Sequence, residues 1–196
     1  MKTINFLSFL ITPSLTREYL QMLPFILESR FNDIDCIIYR DQSDYFIPAF
    51  LRLVAPYKKK LYLNLPLQNV KDILPLAKCF DGVHLKGAYQ HLIPQICEYN
   101  QQRRRDSKHT LQIGFSAHSV EEVLLALQLG ADYCTLSPIF ATPNKGAPLG
   151  IQSLQSLPVE VRQKVVALGG IISKEQIEQI KHLGVLGFAS IRFYEK

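Results

Sequence analysis

Segments with strand character alternate with segments of helical character along the whole chain, and this alternation restricts the fold more than any other feature of the sequence. Short apolar segments rich in β-branched and aromatic residues predict eight strands, at 4–12, 34–40, 61–65, 82–85, 111–115, 133–139, 165–168 and 186–191. The longer segments between them carry apolar residues at the spacing of amphipathic helices. Strict alternation predicts a parallel sheet, and eight strand–helix units predict that the sheet closes into a barrel.

We therefore predict an α/β fold, a (β/α)8 TIM barrel, that forms one compact domain over residues 1–196. Only residues 192–196 follow the last predicted strand, so the last helix is expected to be truncated. A doubly wound open sheet is the alternative architecture. The chain lacks a G-x-G-x-x-G motif after the first strand, which counts against a dinucleotide site of that second fold.

Local signals predict where several helices begin. Thr16, Ser119 and Ser173 are each placed to cap a helix, and Ser119 opens a capping box. A further helix is expected over residues 70–79, with a kink or break at Pro75.

The charge of the chain favours small anions more than nucleic acid. The net charge is +5, and basic runs at 58–60 and 103–105 supply much of the excess. No aromatic residue interrupts either run, so we interpret both as solvated helix ends. We predict no nucleic-acid partner.

Cysteine usage and hydropathy predict a cytoplasmic protein. The four cysteines are scattered and form no CxxC pair, which is typical of a reduced compartment. Residues 1–14 are better interpreted as a first strand than as a signal peptide. No apolar run approaches the roughly 18 residues of a membrane span, so no membrane partner is expected.

Polar residues and glycines follow the predicted strands at the point where each one ends. In a parallel barrel the carboxyl ends of all strands meet at one rim, where such barrels keep their chemistry. We expect the following residues to lie near that rim: Arg40, Asn64, His84, Ser116, Ser137, Gly169 and Ser190.

The last strands and one long loop predict a phosphate site. Gly169 and Gly170 follow strand seven, and glycines let backbone N–H groups approach an anion closely. Ser190 and Ile191 end strand eight beside them. The loop at 140–150 adds a hydroxyl, an amide and an ammonium group that suit an anion, from Thr142, Asn144 and Lys145.

Five motifs in a fixed order resemble one enzyme superfamily. They are GVHL at 82–85, GFSAHS at 114–119, GADY at 130–133, SPIFATPNK at 137–145 and VVALGGI at 165–171. The chain is similar to the thiamine phosphate synthase and thiazole tautomerase (TenI-type) superfamily. That resemblance implies a barrel of thiamine biosynthesis in which Gly169, Gly170 and Ser190 hold the phosphate of a hydroxyethyl-thiazole.

The chain departs from the synthase pattern where the resemblance implies a Mg²⁺ site for the leaving diphosphate. The family's Gln-X-Arg-X-Lys is here Ile38, Arg40 and Gln42, and its Asn-Asp pair is Asn64-Leu65. The residues directly after GVHL are Lys86, Gly87, Ala88 and Tyr89, so the family's aspartate at this place is absent too. We therefore predict no metal ligands and no cofactor, with Mg²⁺ required only if the chain is an active synthase.

The tautomerase branch needs an acid/base group but no metal, because it only moves a proton to make the thiazole ring aromatic. Its motif histidine is replaced here by Pro138. The remaining candidates near the rim are His118 and His84. Ser116, in the GFSAHS motif beside His118, is a further candidate catalytic residue. We favour His118 as the catalytic group.

The main hypothesis is a metal-independent, tautomerase-like protein that binds a thiazole phosphate or thiamine phosphate. An active synthase, which joins aminopyrimidine methyl diphosphate to thiazole phosphate, is the first alternative. A non-catalytic regulatory or ligand-binding protein is the second. Phe193 and Tyr194 are expected to be exposed apolar residues at the C-terminus, which favours a homodimer.

Overall fold

The structure, a computed structural model, describes residues 6–67, 69–73, 75–76, 78–143 and 145–195. Within them, eight parallel strands close a barrel in the order of the chain, which confirms the predicted fold class. The strands are β1 Leu7–Ile11, β2 Cys36–Arg40, β3 Lys60–Asn64, β4 Gly82–Leu85, β5 Gln112–Ala117, β6 Tyr133–Leu136, β7 Val165–Leu168 and β8 Gly187–Ser190.

Helices occupy the connections between the strands. The α-helices are α1 Arg17–Ser29, α2 Ile47–Val54, α3 Leu92–Arg105, α4 Val120–Leu129, α5 Ile151–Gln155, α6 Val159–Arg162 and α7 Lys174–Lys181. Short 3₁₀ turns lie at Phe31–Asp33, Ala55–Tyr57, Val70–Asp72 and Gly87–Tyr89. Among the described residues, no helix is both long enough and apolar enough to cross a membrane.

The three predicted helix caps are confirmed, but the capping box predicted at Ser119 does not form, because Glu122 accepts from the N–H of His118 instead. The side chains of Thr16, Ser119 and Ser173 accept hydrogen bonds from backbone N–H groups in the first turns of α1, α4 and α7. Each cap satisfies a donor that has no partner inside its helix, so each helix begins at a defined residue.

The helix predicted over 70–79 is wrong. Residues 70–72 form only a 3₁₀ turn, and the described residues that follow lie in turns, with Leu74 and Ala77 outside the described part of the chain. A reciprocal cap between Asn69 and Asp72 begins the turn. Pro75 has no N–H to continue a helix and disfavours helical backbone in the residue before it. The described residues of this connection therefore form no regular helix.

The interior of the barrel is filled by an aromatic layer. The ring of Phe9 lies 6.0 Å from that of Tyr62 and 5.5 Å from that of Tyr133. The rings of Tyr62 and Tyr133 are themselves 5.5 Å apart. A second and larger core packs the outer faces of the strands against the helices. The aromatic layer therefore fills the barrel interior between the strands.

The C-terminal residues differ from prediction in their burial. Only a turn follows β8, as expected from the short C-terminal segment. Phe193 and Tyr194 are 9% and 2% exposed, because the turn folds back and packs both rings against Phe188. The prediction that they are exposed is wrong, and they give no support for a homodimer.

The pairing of β8 with β1 closes the barrel and depends on a glycine. Leu7 pairs with Gly187, and a Cβ atom at Gly187 would collide with the backbone of Leu7. We expect Gly187→Ala to lower the free energy of unfolding by about 3 kcal/mol, since the strands must separate to admit the methyl group. Urea unfolding measures this change.

Gly146→Ala is the control for this substitution, because a Cβ atom there has nothing within 4 Å. It should leave stability nearly unchanged. Equal midpoints for the two variants would show that the barrel does not depend on this close approach.

Candidate functional site

A cavity of about 580 Å³ opens at the carboxyl ends of the strands. Every predicted site residue that the structure describes lines it: Arg40, Asn64, His84, Ser116, His118, Thr142, Lys145, Gly169, Gly170, Ser190 and Ile191. Ser137 lies there as well, and Asn144 falls outside the described residues. The carboxyl ends of parallel strands lie at one rim of a barrel, which is why these residues lie together. Their roles stay predictions.

One side of the cavity is built by β2, β3 and β4. Arg40 pairs with Asn64 in the sheet. The Arg40 guanidinium donates through Nε to the carbonyl oxygen of Thr12 at 3.2 Å. Asn64 donates through Nδ2 to the carbonyl oxygen of His84 at 2.7 Å. These bonds hold both side chains in fixed positions.

Four basic side chains line the cavity: Arg40, Lys86, Lys145 and Arg192. None of the described residues around it is Asp or Glu. Sequence patterns did not predict Lys86 and Arg192 as cavity residues, although Lys86 directly follows β4 and Arg192 lies two residues after β8. A concave surface with charges of one sign concentrates ions of the other, so the cavity favours anions.

The pKa values of Lys86 and Arg40 are both lowered by burial in the cavity wall. Burial lowers the pKa of the Lys86 ammonium, the charge of Arg40 lowers it further, and Asp41 acts in the opposite direction. Burial also lowers the pKa of Arg40, again with Asp41 opposing. Arg40 and Lys86 therefore lie close enough to repel each other, and an anion between them would relieve that repulsion.

The two glycines after β7 admit the loop that follows β6. Gly169 and Gly170 have φ values of 94° and 70°, which side chains disfavour. A Cβ atom on Gly169 would lie 2.7 Å from Cα of Pro138. One on Gly170 would lie 2.6 Å from the carbonyl oxygens of Phe140 and Ala141. The glycines thus bring the loop with Thr142 and Lys145 across the end of β7.

Backbone donors lie beside these glycines. Among the described residues, the N–H groups of Gly170, Ile171, Ile191 and Arg192 have no protein acceptor, and all four residues line the cavity. The first N–H groups before α7 are different, because those of Ile172 and Ser173 donate to the side chain of Gln176. The donors available to an anion are therefore in the loops rather than at that helix end.

Ser190 shapes this region through its hydroxyl group. Its Oγ donates to the carbonyl oxygen of Ile171 at 2.8 Å and accepts from the N–H of Phe193 at 3.2 Å. The hydroxyl is thereby committed to the backbone. Thr142 is similar, since its Oγ1 donates to the carbonyl oxygen of Phe140 at 3.0 Å. Both side chains fix the loops that carry the N–H donors and Lys145.

His84 lies beneath the cavity in the barrel interior. It is 2% exposed, and its ring nitrogens lie 3.1 Å from the hydroxyl of Tyr133 and 2.9 Å from that of Ser116. Burial lowers the pKa of His84 to about 3. The imidazole is therefore neutral near pH 7, with both nitrogens in hydrogen bonds. This environment suits a residue that orients Ser116 more than one that exchanges protons.

His118 has the opposite environment. It is exposed at the end of β5, and its Nδ1 lies 3.0 Å from the carbonyl oxygen of Ser137. A carbonyl can only accept, so Nδ1 carries the proton in the neutral ring and Nε2 keeps a lone pair. Nε2 has no protein partner among the described residues. The N–H of His118 also donates to Glu122 at 2.7 Å, which anchors the residue.

The donor set does not fit a protein-held Mg²⁺. The described residues contain no cluster of three or more His, Cys, Asp or Glu side chains that suits a metal. Asp41 accepts from the N–H of Gln42 at 2.8 Å and does not line the cavity. Asp81 accepts from the N–H of Leu61 at 2.8 Å, where β3 and β4 begin, at the other end of the barrel. Mg²⁺ is usually held through carboxylates, and the described cavity lining offers none.

Comparison with known proteins connects this chain to one family. The family model for thiamine monophosphate synthase matches residues 27–193. "Putative thiamine-phosphate synthase 2" of Aquifex aeolicus is 36% identical over 157 residues, which cover 79% of this chain and 78% of the relative. A thiamine-phosphate synthase of Syntrophomonas wolfei is 43% identical over 82 residues, which cover 40% of this chain and 39% of that protein.

A solved structure shares the fold. Thiamine phosphate pyrophosphorylase from Pyrococcus furiosus superposes with a TM-score of 0.64 at 23% identity, covering 96% of this chain and 86% of that one. At that level of identity the likeness shows the barrel alone.

The burial of His84 predicts a pH dependence of stability. Its pKa falls from 6.5 to about 3 on folding, so between these values the unfolded chain binds more protons. Stability should therefore decline as the pH falls below about 6.5, by up to about 1.4 kcal/mol per pH unit from this group. His84→Gln should reduce this slope. Urea unfolding at several pH values between 4 and 7 measures it.

His91→Gln is the control, because it removes an exposed histidine and should keep the wild-type slope. Equal slopes for wild type and His84→Gln would contradict a neutral, buried His84.

Proposed function

The chain belongs to the thiamine monophosphate synthase family, and on that premise we propose that it binds a thiazole phosphate and moves a proton on the thiazole ring without a metal ion. The observation that carries the proposal is a basic cavity with unpaired N–H donors and a histidine at its rim, but no carboxylate among its described lining residues.

The phosphate is proposed to bind at the ends of β7 and β8. The N–H groups of Gly170, Ile171, Ile191 and Arg192 supply hydrogen bonds to its oxygens. Hydrogen bonds to a charged acceptor are about twice as strong as neutral ones. The side chain of Lys145 approaches from the loop after β6 and adds a positive charge. This arrangement leaves the thiazole ring in the cavity, between β7–β8 and β4–β5.

His118 is proposed to transfer the proton. Nε2 takes a proton from one ring carbon and returns it to another ring position, so the reaction is an isomerisation with no net change of atoms. The carbonyl oxygen of Ser137 fixes the ring through Nδ1 and stabilises the imidazolium while it is charged. A general base of this kind contributes roughly 10²–10⁴-fold. The hydroxyl of Ser116, oriented by His84, supports ligand binding from the cavity floor.

The family resemblance also implies a Mg²⁺-dependent condensation, and this is the second candidate function. It is favoured by the names of the relatives, which are thiamine-phosphate synthases. In that reaction Mg²⁺ would stabilise the diphosphate that leaves the aminopyrimidine. The described cavity residues do not fit a carboxylate-held Mg²⁺, so no step through a metal is derived. A regulatory protein that only binds the phosphate ligand is the third candidate.

We also propose a cytoplasmic location and a single-domain organisation for the protein. All four cysteines are free thiols: Cys36, Cys79, Cys97 and Cys134. Cys79 is exposed. Free thiols are typical of a reducing compartment, which supports the cytoplasm. We propose that residues 1–196 act as one domain on a small-molecule phosphate, with no nucleic-acid or membrane partner.

His118→Ala should lower the rate of thiazole tautomerisation by roughly a hundredfold or more, because it removes the proposed base. The affinity for the thiazole phosphate should change little, since the phosphate donors are on other loops. The rate is followed by proton NMR of the thiazole ring, with His91→Ala as the control. Full activity in His118→Ala, or no tautomerisation by the wild type, would overturn this assignment.

Purified protein with aminopyrimidine methyl diphosphate and thiazole phosphate should form little or no thiamine phosphate, with or without Mg²⁺. The described lining residues supply no carboxylate for the metal that would stabilise the leaving group. Chromatography of the products measures this. Rapid thiamine phosphate formation that a chelator abolishes would make the synthase the correct function.

A further inference from the structure

A chain of hydrogen bonds runs from the barrel interior to the floor of the cavity. The hydroxyl of Tyr133 lies 3.1 Å from Nδ1 of His84, and Nε2 of His84 lies 2.9 Å from Oγ of Ser116. Tyr133 and His84 are both buried, and Ser116 lines the cavity. The chain therefore connects a buried phenol, which the proposed function does not use, with a hydroxyl at the ligand site.

Gly114 leaves the space in which Tyr133 meets His84. It lies between them in the sheet, because it pairs with His84 on β4 and with Tyr133 on β6. A Cβ atom at Gly114 would lie 2.5 Å from the hydroxyl of Tyr133 and 2.6 Å from Nδ1 of His84. A side chain at this position would push the phenol and the imidazole apart. The glycine that opens the GFSAHS motif is thus required for the hydrogen bond between the two rings.

The phenol of Tyr133 is the donor in this hydrogen bond. Burial raises the pKa of Tyr133 well above its ordinary value, so the hydroxyl keeps its proton. Within the described residues, Nδ1 of His84 is the one hydrogen-bond partner of this hydroxyl. If Nδ1 carried a proton, the phenol hydrogen would be buried without an acceptor, which costs about 1–3 kcal/mol. Nδ1 therefore accepts, and the neutral ring carries its proton on Nε2.

Thr135 is the competing partner at Nε2. Its Oγ1 lies 3.4 Å from Nε2, against 2.9 Å for Oγ of Ser116. A hydrogen bond at the longer distance is weak, so Thr135 gains less by donating to Nε2 than Tyr133 gains by donating to Nδ1. The proton on Nε2 is therefore directed at Ser116.

We propose that Tyr133 is a positioning residue that fixes the proton of His84 on Nε2 and thereby turns the hydroxyl hydrogen of Ser116 toward the cavity. Because Oγ of Ser116 accepts from Nε2–H, its own hydrogen is available to the ligand. The inference rests on the proposed function, in which the thiazole ring lies beside β4 and β5. The hydroxyl then selects a ring with an unprotonated nitrogen and discriminates against one that presents an N–H group.

NMR of the full chain labelled with ring-¹⁵N histidine tests the tautomer without any ligand. We expect Nε2 of His84 to show the shift of a protonated nitrogen and Nδ1 that of an acceptor. Tyr133→Phe removes the donor to Nδ1, so signals of both tautomers should appear. Tyr62→Phe is the matched control, because it removes a phenol of the same aromatic layer that bonds to Gln112 instead. It should keep the wild-type spectrum. A proton on Nδ1 in the wild type, or an unchanged spectrum in Tyr133→Phe, would overturn the inference.

Calorimetry adds a readout that a merely structural role would not move. Tyr133→Phe should weaken binding of hydroxyethyl-thiazole phosphate roughly tenfold and leave that of inorganic phosphate unchanged, because only the ring meets Ser116. The double variant with Ser116→Ala should bind no more weakly than Ser116→Ala alone, since Tyr133 acts through Ser116. Wild-type affinity of Tyr133→Phe for the thiazole phosphate would overturn the positioning role. If the wild type binds no thiazole phosphate, the proposed function is wrong, whereas two tautomers in Tyr133→Phe would still support the role of Tyr133.

Discussion

Closure of the barrel through the β8–β1 pair is the constraint on which the rest of the structure depends. The close approach of Gly187 to Leu7 completes a ring in which every strand runs in the same direction. All carboxyl ends therefore share one rim. Residues far apart in the sequence, such as Arg40 and Ser190, meet around one cavity for this reason alone. The aromatic layer of Phe9, Tyr62 and Tyr133 then fills the barrel below the cavity at this rim.

Two histidines near that rim show how the surroundings of a side chain decide its chemistry. His84 and His118 come from neighbouring strands, yet one is enclosed by the hydroxyls of Tyr133 and Ser116 and the other is exposed. Burial keeps the first neutral and fixes its hydrogen bonds, so it stabilises the floor of the cavity. His118 keeps a free Nε2, and the carbonyl oxygen of Ser137 orients its ring through Nδ1. The same residue type thus supports structure in one place and is proposed to support catalysis in the other.

The sequence predicted the barrel because period-two and period-3.6 patterns are local, and because strand order follows from the alternation. It predicted the rim residues because chain topology alone sends strand ends to one side. It failed for residues 70–79, where Pro75 and the Asn69–Asp72 cap outweigh the apolar spacing. It also failed for Phe193 and Tyr194, because their burial depends on a turn that folds back onto Phe188 and on contacts with Arg30 and Asp33, which are distant in the sequence. The different environments of His84 and His118 could not be predicted, because they depend on hydrogen-bond partners that lie 19 to 49 residues away.

We propose that this cavity binds a phosphorylated thiazole through its own cations and N–H groups, without a metal. Isothermal titration calorimetry of the hydroxyethyl-thiazole phosphate, once in EDTA and once in Mg²⁺, tests it most directly. We expect one-to-one binding with the same affinity in both buffers. Binding that requires Mg²⁺, or no binding in either buffer, would contradict it.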